Sequence, residues 1–98
     1  MTEEEAIDRL AKVLLRLFPQ AGKIPYDQRG DEFVMEVPWD AGGQVRTFRV
    51  LFAEEVIDDY RDTDEGRRED GDERLLELVR EALRDGLSTT GRIERLTT

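Results

Sequence analysis

Residues 32–52 read EFVMEVPWDAGGQVRTFRVLF, two runs of alternating character joined across Gly42-Gly43. Side chains on an extended strand point to opposite faces with period two, so each run carries one strongly apolar face and one mixed face. Phe33, Met35, Val37 and Trp39 share a face in the first run; Phe48, Val50 and Phe52 share one in the second. Gly42-Gly43 suits a two-residue turn in which both central residues take positive φ. Folding about that turn sets Val37 opposite Phe48, Met35 opposite Val50 and Phe33 opposite Phe52, with Glu36 facing Arg49 and Val34 facing Leu51 on the other side. A slip of one residue would turn the large apolar set outward and is excluded. Pro38 has no amide hydrogen for a ladder, so the first strand is an edge or its last residues are unpaired. A two-stranded ribbon is marginal in water, which requires helices over the Phe33/Phe48 face.

The segments on either side supply them. Thr2 followed by Glu5 matches a capping box, and Ile7, Leu10, Leu14, Leu17 and Phe18 recur at helical steps until Pro19 ends the pattern. Ala53 to Tyr60 reads as a short helix with Val56, Ile57 and Tyr60 on one side. Residues 61–71, RDTDEGRREDG, contain no apolar side chain and two glycines, so they read as a loop or frayed lead-in. A second main helix is predicted over Asp72–Asp85, capped by Asp70 or Asp72 and buried through Leu75, Leu76, Val79, Ala82 and Leu83. Gly86 follows as a left-handed cap, with Leu87 placed to fold back on the last turn. The expected fold class is α+β: a two-layer α-β-β-α-α arrangement in which an antiparallel β-hairpin is covered on one face by two main helices. Residues 23–28 and 92–97 are the candidates for a third edge strand. In the first of these, Ile24 and Tyr26 share parity and both point inward. Residues 1–87 read as a single domain and 88–98 as a loosely ordered tail.

Composition narrows the chemistry. With 24 acidic and 15 basic residues the chain carries −9, which repels phosphate backbones and anionic lipid and argues against direct binding of nucleic acid or membrane. There is no cysteine and no histidine, hence no thiolate nucleophile and neither the commonest metal ligand nor the usual general base. No glycine-rich phosphate loop is present, and the only serine, Ser88, has no histidine to activate it. The acidic N-terminal stretch lacks the basic character of a secretory signal, so the expectation is a soluble, cytoplasmic protein. No cofactor is expected.

Two constellations remain. Acidic side chains crowd Asp62–Glu73, where a hard cation would seek oxygen ligands. Tested as a calcium loop from Asp62, the stretch places Gly66 at a ligand position and Arg67 where a glycine turn is needed, so a solvated charge run is the stronger reading. The other constellation is aromatic: Trp39 beside the hairpin turn and Tyr60 beside a connector are residue types enriched at binding hot spots. The leading expectation is therefore a non-enzymatic protein–protein interaction or accessory module. Its candidate partner-binding residues are Trp39, Tyr60, Asp58, Asp59, Asp62, Asp64 and Glu65. Two alternatives stand beside it: a phosphate-mimicking inhibitor of a basic nucleic-acid-binding protein, and a carboxylate-only enzyme dependent on a divalent metal. A homodimer through the hairpin is a further partner expectation, because its mixed face offers Val34 and Leu51.

Overall fold

The computed structural model describes residues 1–40 and 42–97. Helix α1 spans Glu3–Leu17, and a single 3₁₀ turn follows at Pro19–Ala21. Strands β1 (Tyr26–Arg29), β2 (Glu32–Asp40) and β3 (Val45–Ala53) form an antiparallel meander. Helices α2 (Glu54–Asp62) and α3 (Glu65–Arg84) then carry the chain back to β4 (Thr89–Ile93), which lies parallel to β3. The four-stranded sheet has the order β1-β2-β3-β4. Among the described residues this is a mixed α+β fold with three helices, as the α-β-β-α-α order expects, over a sheet of four strands rather than two or three.

The hairpin register follows the alternation. Val37 faces Phe48, Met35 faces Val50 and Phe33 faces Phe52, and all six side chains join one apolar cluster with Ile7, Leu10 and Leu14 of α1, Ile57 of α2 and Leu75 of α3. Gly42 and Gly43 take φ of 67° and 92°, as the turn requires, and the Gly43 amide donates to Asp40 Oδ1 at 2.8 Å. The end of that turn at residue 41 lies outside the described residues.

Pro38 is accommodated by the short reach of β1. The Glu36 amide donates to the Pro25 carbonyl, so even-numbered β2 residues address β1, and β1 pairs only as far as Met35. Pro38 therefore presents its missing donor to a side with no neighbour, although β2 is an interior strand. Residues Gly30-Asp31 close the β1–β2 hairpin, with Gly30 at φ 64° and no positive φ at Asp31, the requirement of a type II′ turn. All four β1 residues are exposed, so the helical layer stops short of this strand. Ile24 is buried as expected, whereas Tyr26 remains 48% exposed, its ring 6.4 Å from that of Phe33.

Both ends of the long helices are capped. Thr2 and Glu5 exchange the two bonds of a capping box, and the bond from the Thr2 amide holds the Glu5 carboxyl below its ordinary value. At the far end of α3 the Leu87 amide bonds the Ala82 carbonyl and the Gly86 amide bonds that of Leu83, a Schellman motif with Gly86 at φ 74°. The Leu87 backbone folds back, but its side chain stays exposed.

Two segments differ from the sequence expectation. Helix α3 starts at Glu65, capped by the Asp64 side chain on the Arg67 amide, so most of the expected 61–71 loop is helix and neither Asp70 nor Asp72 is a cap. The extension is held by tertiary contacts, described below, that composition alone does not reveal. The 88–98 stretch, expected as a loose tail, supplies β4 and buries Ile93 and Leu96. A bulge hides this strand from pattern reading: Arg49 pairs Thr89 but Leu51 pairs Arg92, with Gly91 at φ 71° absorbing the extra residue.

Gly71 lies within α3 where a Cβ would come to 2.5 Å from the Tyr60 hydroxyl oxygen, whereas one at Gly66 would meet only Asp64 Oδ1 at 3.4 Å. Gly71→Ala should lower stability by roughly 1–3 kcal/mol despite the better helix former. Gly66→Ala should raise it by up to about 1 kcal/mol. Urea unfolding distinguishes them; a gain at both positions would mean that Tyr60 moves aside.

Candidate functional site

Three apolar or polar features converge at the seam between α1, α2 and α3. Asp72 falls three and four residues before Leu75 and Leu76, so it continues the buried stripe of α3 and is only 3% exposed. A carboxylate taken out of water must be paired and hydrogen-bonded. Arg9 of α1 supplies the pairing, with Nη2 at 2.8 Å and Nε at 3.1 Å from Asp72 Oδ2. Tyr60 of α2, fully buried, donates its hydroxyl to Asp72 Oδ1 at 2.9 Å. The remaining Arg9 nitrogen reaches Glu65 at 2.6 Å, and Arg68 Nε donates to the Tyr60 carbonyl at 2.7 Å. Among the described residues no buried side-chain nitrogen or oxygen lacks a partner.

The network also shapes the local acid–base behaviour. Burial, and next the Asp72 carboxylate, push the Tyr60 phenol well above its ordinary value. Hydrogen bonding to Asp72 raises the Arg9 guanidinium above its own. Both perturbed groups here face an internal partner, so the arrangement joins the three helices.

This arrangement redistributes the residues singled out from the sequence. Tyr60 belongs to the interior and is unavailable to a partner surface. Asp64 is the α3 cap, and Glu65 is shared between Arg9 and Arg68. Asp58 is exposed and lies 3.7 Å from Arg61. Asp59 and Asp62 face a shallow hollow that also contains Arg67 and Arg95. Among the described residues no three of His, Cys, Asp and Glu are placed to hold a metal ion, and no helix is long and apolar enough to cross a membrane.

Trp39 lies elsewhere. It is half-buried at the end of β2, edge-on to Phe18 with ring centroids 6.4 Å apart, and Phe18 in turn stacks on Phe48. Together with Leu17, Pro19, Ala21 and Leu83, the Trp39 and Phe18 rings line an open cleft of about 400 Å³. Pro19 creates it: α1 must stop at Leu17, and the 3₁₀ turn leads the chain over the sheet edge without filling the space beside Trp39. Leu83 and Glu65 are eighteen residues apart on one helix, about 27 Å at 1.5 Å per residue. Trp39 and the acidic candidates therefore occupy different parts of the molecule and do not form one surface.

Reading the sequence alone missed Arg9, Arg68, Gly71 and Asp72. The available signal was an aspartate on the apolar stripe, with a glycine beside it in an otherwise helical pattern. Comparisons with protein-family models, with curated proteins and with solved structures gave no match to this chain.

Asp72→Ala strands the Arg9 charge and should destabilise the fold by about 3–5 kcal/mol, measurable by chemical denaturation. Loss below about 1 kcal/mol would show that water replaces the carboxylate. Because the folded-state pKa of Tyr60 is raised, its contribution is whole below the unfolded value near 10 and is lost as pH climbs above it. The unfolding free energy should thus decline from about pH 10 upward, and less so in Tyr60→Phe; superimposable alkaline limbs would assign the decline to other groups.

Proposed function

We propose that this protein is a non-enzymatic interaction module that binds another protein through the cleft at Trp39. The observation that carries the reading is a large aromatic ring left half-covered at the mouth of an apolar hollow. On the same face Phe33, Phe48 and Phe52 are buried, and the exposed Tyr26 of β1 lies outside the hollow. Tryptophan in a partly formed pocket offers much apolar area at little cost in side-chain freedom, the usual property of a binding anchor. The enclosed polar network supports the same reading, since its ionisable groups are committed to one another.

A second reading draws on the opposite end, where Asp58, Asp59 and Asp62 lie exposed or half-exposed on one short helix. Clustered carboxylates there would suit the basic site of a nucleic-acid-binding protein, in the manner of a phosphate mimic. The two readings separate by mutation.

Affinity capture from native lysate with the intact chain, Trp39→Ala and the triple Asp58→Lys/Asp59→Lys/Asp62→Lys assigns the binding end. Trp39→Ala should weaken the principal partner by roughly thirtyfold or more while the far-ultraviolet spectrum stays native, the effect of removing a hot-spot side chain. A bound set that survives Trp39→Ala but not the triple reversal transfers the role to the acidic end.

A further inference from the structure

The cleft at Trp39 has a charge character opposite to that of the chain as a whole. Contacts between α1 and α3 advance in one direction along both helices: Arg9 meets Glu65 and Asp72, Arg16 lies 3.8 Å from Glu73, and Leu17 reaches the cleft with Leu83. The two long helices thus run side by side in the same sense, and both C-terminal ends emerge at Trp39. Acidic residues favour helix N-termini and basic ones C-termini, so the parallel arrangement adds two biases of the same sign.

The rim carries this out in particular residues. Arg46 is the direct cross-strand partner of Trp39 and therefore stands on the same face. Arg80 precedes Leu83 by three residues and Arg84 follows it, so both flank the cleft side of α3, while Glu81 and Asp85 lie about 160° around the helix from Leu83. Lys23 follows the 3₁₀ turn whose Ala21 lines the cleft. Lys23, Arg46, Arg80 and Arg84 are all exposed, and among the described residues none makes an ion pair. The one carboxylate on the lining, Asp40, already accepts the Gly43 amide. Compensation of helix ends does not account for Arg46 or Lys23, which lie on a strand and after a turn.

Resting on the interaction role proposed above, we infer that the occupant is an acidic segment of the partner protein. An aromatic or leucine side chain of that segment seats against Trp39 and Phe18, and carboxylates on either side of it meet Arg46, Arg80, Arg84 and Lys23. A basic or neutral segment would gain the apolar contact but leave the four cations unpaired or repelled. The acidic remainder of the chain, in turn, turns basic competitors toward the wrong end.

Selection of a random peptide display library of about twelve residues on the intact chain, at about 50 mM salt where charge pairs are weakly screened, tests this directly. The selected pool should carry one large apolar residue flanked by Asp and Glu and should lose binding to Trp39→Ala. Binding should fall about tenfold or more in the double variant Arg46→Glu/Arg84→Glu, and comparably when salt is raised to about 0.5 M. A Trp39-dependent pool with neutral or basic flanks would overturn the acidic partner and keep the interaction role. A pool indifferent to Trp39, or none above background, would overturn both. Concentration-dependent self-association of the chain alone that Arg46→Glu abolishes would make a second copy the occupant and overturn the assignment to another protein.

Discussion

The fold depends on one buried carboxylate. Asp72 occupies a position on α3 that the apolar stripe would give to leucine or alanine, and it is tolerable there only because Arg9 and Tyr60 satisfy it from two other helices. An apolar contact between helices survives a small slide or rotation. A guanidinium and a phenol fixed to opposite oxygens of one carboxylate do not, since either movement would leave a buried charge unpaired. The approach of α2 to α3 that this demands is possible because residue 71 has no side chain. Glycine, tyrosine, aspartate and arginine act here as a single joint, and the rotational setting of α3 over the sheet follows from it.

That joint explains why some of the architecture was legible in the sequence and some was not. The hairpin register could be read because six large side chains alternate without interruption around a glycine pair, and a single slip would expose all of them. The start of α1 was equally plain, because Thr2 and Glu5 satisfy each other locally. The beginning of α3 was not: Arg61 to Gly71 lacks any apolar residue, and its helix is supported by Arg68 bonds to the Tyr60 and Arg61 carbonyls at the end of α2 and by Arg9 reaching Glu65 from across the fold. Likewise β4 pairs with a strand some forty residues earlier, and its bulge at Gly91 destroys the alternation that marks a strand.

The site was legible in part for similar reasons. Trp39 stood out because it ends a strand beside a turn, and the structure leaves it half-covered there. Grouping it with the acids from Asp58 to Glu65 failed because nearness along the chain says nothing about which end of a long helix a residue meets. Two of those acids, Asp64 and Glu65, are consumed by a cap and by Arg9. A tyrosine beside a charged connector resembles a surface residue until the glycine that admits it to the interior is recognised.

The free side of β1 has a consequence for assembly. With the Pro25 carbonyl turned toward β2, the outward-facing amides and carbonyls of this strand are those of Tyr26 and Gln28. A copy laid antiparallel against them in the register that satisfies all four groups on each side would bring Asp27 face to face with its own image. Pairing in that register is thereby opposed by like charge at its centre. The exposed flank of the sheet thus carries, at its middle, a charge that disfavours its own most fully bonded pairing with a second copy.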